Sequence, residues 1–170
     1  MAGSYLLFNI ETTGLREVTG RLAGYDKESA SYLREMVRNL ARKYVEYLKS
    51  EAPSDTGKLK QGITFKTYQS GTVTEARITS KETYTGYVLH GTRPHAPPIS
   101  ALQGWADRHG INVWRVWWSI KRNGTSTWSL AKYGEKANRF VKRAEERMKP
   151  EYQKEVTNLA GHVRKWLVGW

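Results

Sequence analysis

The sequence predicts an α+β fold: a small antiparallel sheet packed against a long N-terminal helix, with an inserted helical pair and C-terminal helices. Three patterns predict it. Apolar residues from Leu33 to Leu48 recur at helical spacing. Two segments, 63–68 and 72–79, alternate β-branched and aromatic residues with polar ones about Gln69-Ser70-Gly71. Beyond residue 99, helical stretches are punctuated by Gly110 and Gly124.

The segment Ser4–Glu11 is short, apolar and partly alternating, which suits a first strand. Asp26 is placed to cap the helix that follows, because a carboxylate accepts from the free amides of a first turn. Leu33, Met36, Val37, Leu40, Ala41, Tyr44, Val45 and Leu48 then fall on one helical stripe, with Arg34, Glu35, Arg38 and Arg42 opposite. Pro53 pushes the residue before it out of helical geometry, so the helix ends near Ala52.

Asp55 or Thr56 can cap one short helical turn through Leu59, and Gly62 releases the chain into the hairpin of 63–68 and 72–79, joined by a turn of about three residues. Tyr84–Leu89 reads as the next strand, and Gly91–Pro98 as a loop. Helices follow at 100–109 and 113–122, within an inserted helical hairpin of 99–124. The C-terminal helices cover 136–168: one over 136–148, then one begun by Pro150, a residue tolerated in a first turn. Tyr152, Val156, Leu159, Ala160, Val163, Trp166 and Leu167 form the stripe of the last helix.

A chain of 170 residues suits one domain, 1–170, able to bury a core without staples. It has no cysteine, which excludes disulfides, thiolate metal sites and a thiol nucleophile. The longest apolar run, Tyr5–Phe8, is far too short to span a membrane, and no secretory leader precedes it, so the expectation is a protein made and kept in the cytoplasm. The formal net charge is +12, and residues 121–149 hold nine bases against three acids, half of that excess. Such an excess favours phosphates or an acidic protein surface. Seven Trp and ten Tyr fit a protein that assembles with others, since both types are enriched at interfaces.

Catalytic readings find little support. His90, His95, His109 and His162 do not sit at ligand spacing from one another or from an acid, so no metal and no cofactor is expected. Glu145 and Glu146 are adjacent on a helix and point in different directions, which makes a poor acid/base pair. Asp55-Thr56-Gly57 matches the triplet of aspartic proteases, but those enzymes need two such aspartates sharing a proton and the chain has one copy. The rival reading is a DNA-binding helix-turn-helix: Ala106, Gly110 and Val116 have its spacing, and the second helix would present Asn112, Trp114 and Arg115 to a major groove. Three indoles on that helix, Trp114, Trp117 and Trp118, suit burial or protein contact better than base edges.

Two motifs taken together resemble the tail-completion family of long-tailed bacteriophages, also called minor tail protein Z-like or head–tail joining proteins. The first is Pro53, Asp55, Thr56, Gly57, Leu59 and Ile63 after a long helix, and the second is Tyr84, Tyr87, Val88, Gly91 and Thr92. Pro97-Pro98, Leu102, Trp105-Ala106, Gly110-Ile111 and Ile120–Thr125 resemble a helical insertion present in a longer subset of that family. Arg139–Ala144 stands where the family carries a proline-flanked helix start, and lacks both prolines. The resemblance covers roughly residues 26–145 and implies a non-enzymatic virion protein of the head–tail junction, assembled in the host cytoplasm. It implies a hexameric ring meeting neck, tail-terminator or tail-tube proteins. Ring contacts are head-to-tail, so each subunit needs two different complementary surfaces. Candidate interface residues are Arg93, Pro94 and His95 in the loop, with Trp114 and Trp118 on the helix; Val113, Val116, Trp117 and Ile120 form its buried stripe. Lys132, Lys136, Arg139, Lys142, Arg143 and Arg147 are candidate contacts to packaged DNA in the channel or to an acidic neighbouring ring.

Overall fold

Helix α1, Lys27–Glu51, carries the apolar stripe read from the sequence, and all eight of its residues from Leu33 to Leu48 are buried. The structure, a computed structural model, describes residues 5–11, 27–70, 73–125 and 139–168; the cap expected at Asp26 lies outside them. Strands β1 (Tyr5–Glu11), β2 (Ile63–Ser70) and β3 (Val73–Ser80) form one antiparallel sheet in the order β1-β3-β2. In the central strand Thr74, Ala76, Ile78 and Ser80 are all buried, as strand alternation requires of one face turned to a core. Helix α1 covers that face, and the fold is α+β. The hairpin pairs through to Ser70↔Val73, which leaves two residues between the strands where three are expected from the sequence.

After Pro53 the chain turns through Gly57, whose φ of 78° lies in the left-handed region that favours glycine. The short helix α2, Lys58–Gly62, starts there with no side-chain cap, so neither Asp55 nor Thr56 caps it. Leu59 and Ile63 on either end of α2 enter the core.

The expected strand at 84–89 is instead helix α3, Thr85–His90. The amide and the hydroxyl of buried Thr85 both donate to the Glu82 carbonyl, at 3.1 and 2.6 Å, and the Thr85 and Ser80 hydroxyls are 2.7 Å apart. That tight turn starts a helix directly off the end of β3. Tyr84, Tyr87 and Val88 also stand at i, i+3 and i+4, a helical spacing that the alternation of β-formers hides. Gly91, φ 69°, closes the helix.

Helices α4 (Ile99–Arg108) and α5 (Val113–Asn123) form the inserted hairpin, with Gly110 at φ 63° between them and Gly124 at φ 74° after them. The stripe expected to be buried on α5 is only half-buried, because α5 packs chiefly on α4.

The two C-terminal helices expected from the sequence are one, α6, Phe140–Val168, running through Pro150; residues 136–138 lie outside the described ones. It lies antiparallel to α1: Glu51 meets Arg143, Lys43 meets Glu151 and Tyr32 meets His162. Over residues 140–165 its buried residues are Phe140, Ala144, Met148 and Leu159, so the core-facing stripe is rotated from the expected one and leaves Tyr152 and Val156 exposed; Trp166 and Leu167 of that stripe lie outside the described side chains. Pro150 is itself exposed, so its ring disturbs the solvent side of the helix. A proline in a helix interior loses one backbone hydrogen bond and clashes with the preceding turn, at a cost of ~3 kcal/mol in a regular helix. Pro150→Ala is therefore expected to raise the midpoint of urea unfolding; two helices separated at residue 149 would give no gain.

Candidate interaction surface

The two motifs lie far apart in sequence and meet in space. A cleft of about 600 Å³ is walled by the Pro53–Leu59 turn, by Tyr84, Tyr87 and Val88 of α3, and by Leu102, Trp105 and Ile120 of the hairpin. The turn and α3 carry the framework residues Pro53, Asp55, Thr56, Gly57, Leu59, Tyr84, Tyr87 and Thr92, all of which line it. A second cleft, about 930 Å³, adjoins it, shares Pro53, Asp55, Leu102, Trp105, Ile120 and Thr125 with it and is more polar, with Ser54, His109, Arg115 and Ser119 also among its walls. The hairpin thus leans on the body over two adjoining clefts.

Three contacts hold it there. At its neck the Thr92 amide donates to Thr125 Oγ1 at 2.7 Å, and the Thr125 amide donates to the Thr92 carbonyl at 3.1 Å. Farther out, the Arg108 guanidinium grips both carboxylate oxygens of Asp55, at 2.8 and 2.5 Å. This bidentate pair is the job of Asp55 in the fold, and the guanidinium holds its carboxyl below the usual aspartate range. Finally, the Trp117 indole N–H donates to the Pro97 carbonyl at 2.9 Å and ties α5 to the 91–98 loop.

The outer face of α5 is bare. Trp114 and Trp118 are 53% and 59% exposed, and α5 has no buried residue. Lys121 stands over the rings of both Trp117 and Trp118, 4.7 and 5.0 Å from their centroids, so the face is cationic as well as aromatic. Of the nine exposed large apolar side chains among the described residues, six lie between Tyr84 and Trp118. Arg93, Pro94 and His95 are exposed in the adjoining loop, where His95 Nδ1 lies 2.8 Å from the Arg93 carbonyl.

The basic candidates divide. Lys132 and Lys136 lie outside the described residues. Arg139 and Lys142 are exposed. Arg143 and Arg147 both pair with Glu51, at 2.7 and 3.0 Å, and Arg143 also donates to the Glu51 carbonyl at the C-terminal end of α1. There they offset the negative end of the helix dipole, a structural use of the charge. Asn112, offered above to a major groove, accepts from the Trp114 amide with its side-chain oxygen at 2.9 Å and so caps α5.

Arg108 and Trp105 were not singled out from the sequence as site residues. Nothing local marks Arg108, because its partner lies 53 residues away. Trp105 could have been found from its place beside Leu102 and Ala106, at helical spacing. No three metal-ligating side chains come together among the described residues, and no helix among them is long and apolar enough to cross a membrane. Comparison of the chain with protein-family models, characterised proteins and solved structures finds no match.

The Asp55–Arg108 pair gives the hairpin a pH dependence. A carboxyl with a lowered folded-state pKa stabilises fully above its unfolded value, about 3.9, and that stabilisation is lost as pH falls through the lowered folded value. The amide NMR shifts of residues 105–109 are expected to titrate with a midpoint below that of free aspartate, and Asp55→Asn is expected to abolish the transition.

Proposed function

We propose that the chain is a non-enzymatic structural protein of a bacteriophage virion, forming or joining a ring at the junction of head and tail. The observation that carries this reading is the pair of exposed indoles, Trp114 and Trp118, on a helix packed against α4 and tied to the 91–98 loop. Apolar aromatic side chains held rigidly in solvent are what a protein–protein hot spot needs before its partner arrives. The family resemblance supplies the setting: its two motifs converge on the cleft behind that helix, so residues that resemble a family framework also support the hairpin. Sixfold symmetry, and neighbours drawn from neck, tail-terminator or tail-tube proteins, follow from the resemblance alone. Virion localisation follows from it as well. For the basic stretch at the start of α6, Arg139 and Lys142 remain the residues offered to packaged DNA or an acidic ring.

The helix-turn-helix reading of the same hairpin is weakened by two features. The side-chain oxygen of Asn112 is used as a cap, and two indoles occupy the face that would meet base edges. Sedimentation velocity of the purified chain at moderate salt, with and without a short DNA duplex, separates the readings. A large discrete oligomer without DNA is the expected result; a monomer that binds duplex tightly would overturn the ring. Trp118→Arg is expected to leave a folded monomer, with unchanged far-ultraviolet circular dichroism, that no longer assembles.

A further inference from the structure

We infer that the apolar cleft between the Pro53–Leu59 turn, α3 and the hairpin is the socket for Trp114 and Trp118 of a second copy of this chain. The inference deepens the ring reading and rests on it.

The argument begins with the two sides of α5. At 3.6 residues per turn, Trp114 and Trp118 share one face while Val116 and Ile120 lie roughly 200° away, on the opposite one. Ile120 lines both clefts and Val116 the more polar one, whereas the two indoles line neither and are exposed. One helix therefore presents an apolar knob on its outer side and walls an apolar hollow on its inner side. A subunit with a knob and a hollow on opposite sides cannot satisfy both by a twofold contact between the same patches. It satisfies them head-to-tail, which is the geometry that closes rings.

Size and chemistry select the socket. Hollows of roughly 300–1,000 Å³ bury whole drug-sized ligands, so a cleft of about 600 Å³ has room for two indoles. Its walls are mostly apolar or aromatic, Pro53, Leu59, Tyr87, Val88, Leu102 and Trp105 among them, with Asp55 and Lys58 as its charged members. The second cleft shares Asp55 with the first but adds charged Arg115 and polar His109 and Ser119, and suits an indole less well. Area agrees with a central role. A tryptophan buries about 150–250 Å², so two indoles exposed by about half contribute roughly a quarter of the ~800 Å² per partner of a standard interface. That is the share expected of a hot spot, with the surrounding loop supplying a rim. Tyr87, 66% exposed at the mouth of the cleft, is the most exposed of the large apolar side chains and would close over the incoming rings.

The test uses two variants at exposed positions, so that folding is not at stake. Tyr87→Arg spoils the socket and keeps the knob; Trp118→Arg spoils the knob and keeps the socket. Each alone is expected to sediment as a monomer. Their equimolar mixture is expected to form a one-to-one dimer and nothing larger, because one intact knob meets one intact socket and both outer ends are blocked. The chain has no cysteine, so Lys58→Cys at the cleft and Lys121→Cys beside Trp118 are expected to cross-link with each other under oxidation, and neither with itself. A mixture that stays monomeric, or a Lys121→Cys variant that cross-links to its own kind, overturns the socket. Sedimentation of the parent then separates the two failures: a parent that still forms large oligomers keeps the ring, and a monomeric parent removes both.

Discussion

Everything in this fold hangs on the width of the apolar stripe of α1. Eight buried residues between Leu33 and Leu48 are too many for a seam with one neighbour. The stripe serves two, the inner face of β3 on one side and α6 on the other. Tyr44 and Leu48 are fully buried at its C-terminal end, with Ile63 and Ile78 from the sheet and Phe140 from α6 in the same cluster. Polar contacts then set the register of the two long helices rather than their association. Glu51 with Arg143 and Arg147, and Lys43 with Glu151, are half-exposed pairs of the kind that contribute little to stability singly but specify alignment.

The hairpin obeys a different regime. Apart from Ala106, none of the residues in its two helices is buried, and its attachment is polar: a threonine neck, one bidentate ion pair and one indole hydrogen bond. Such contacts are directional, so they aim the hairpin without burying much of it. The body is thus stabilised by burial and the hairpin is positioned by geometry. This division leaves indoles in solvent that a protein core would otherwise have taken.

Wherever one periodicity dominated, the sequence was legible. The eight-residue stripe of α1, the alternation around residue 70 and the glycines at 110 and 124 all mark elements that exist close to where they were expected. It was misleading where two periods overlapped. Tyr84–Leu89 is rich in β-formers, and the turn built on Thr85 decides for helix through hydrogen bonds that local propensity does not register. Pro150 was read as a boundary because proline usually is one; packing of Phe140, Ala144 and Met148 before it and Leu159 after it on the same core carries the helix through. For the candidate site, the exposure of Trp114 and Trp118 was legible from helical spacing. The Asp55–Arg108 clamp and the cleft were not, since both depend on how the hairpin is hung and no local pattern encodes that.

The threonine neck has a consequence for how this chain can change over time. The ends of the excursion, 33 residues apart in sequence, lie within hydrogen-bonding reach of each other. An insertion whose ends already touch can be lengthened, shortened or exchanged with little effect on the host, because the entropy of closing it grows only slowly with its length. The body must conserve its volumes to remain packed, while the hairpin has almost no volumes to conserve. The hairpin is in this sense a graft: its sequence is free to vary while the scaffold beneath it stands still.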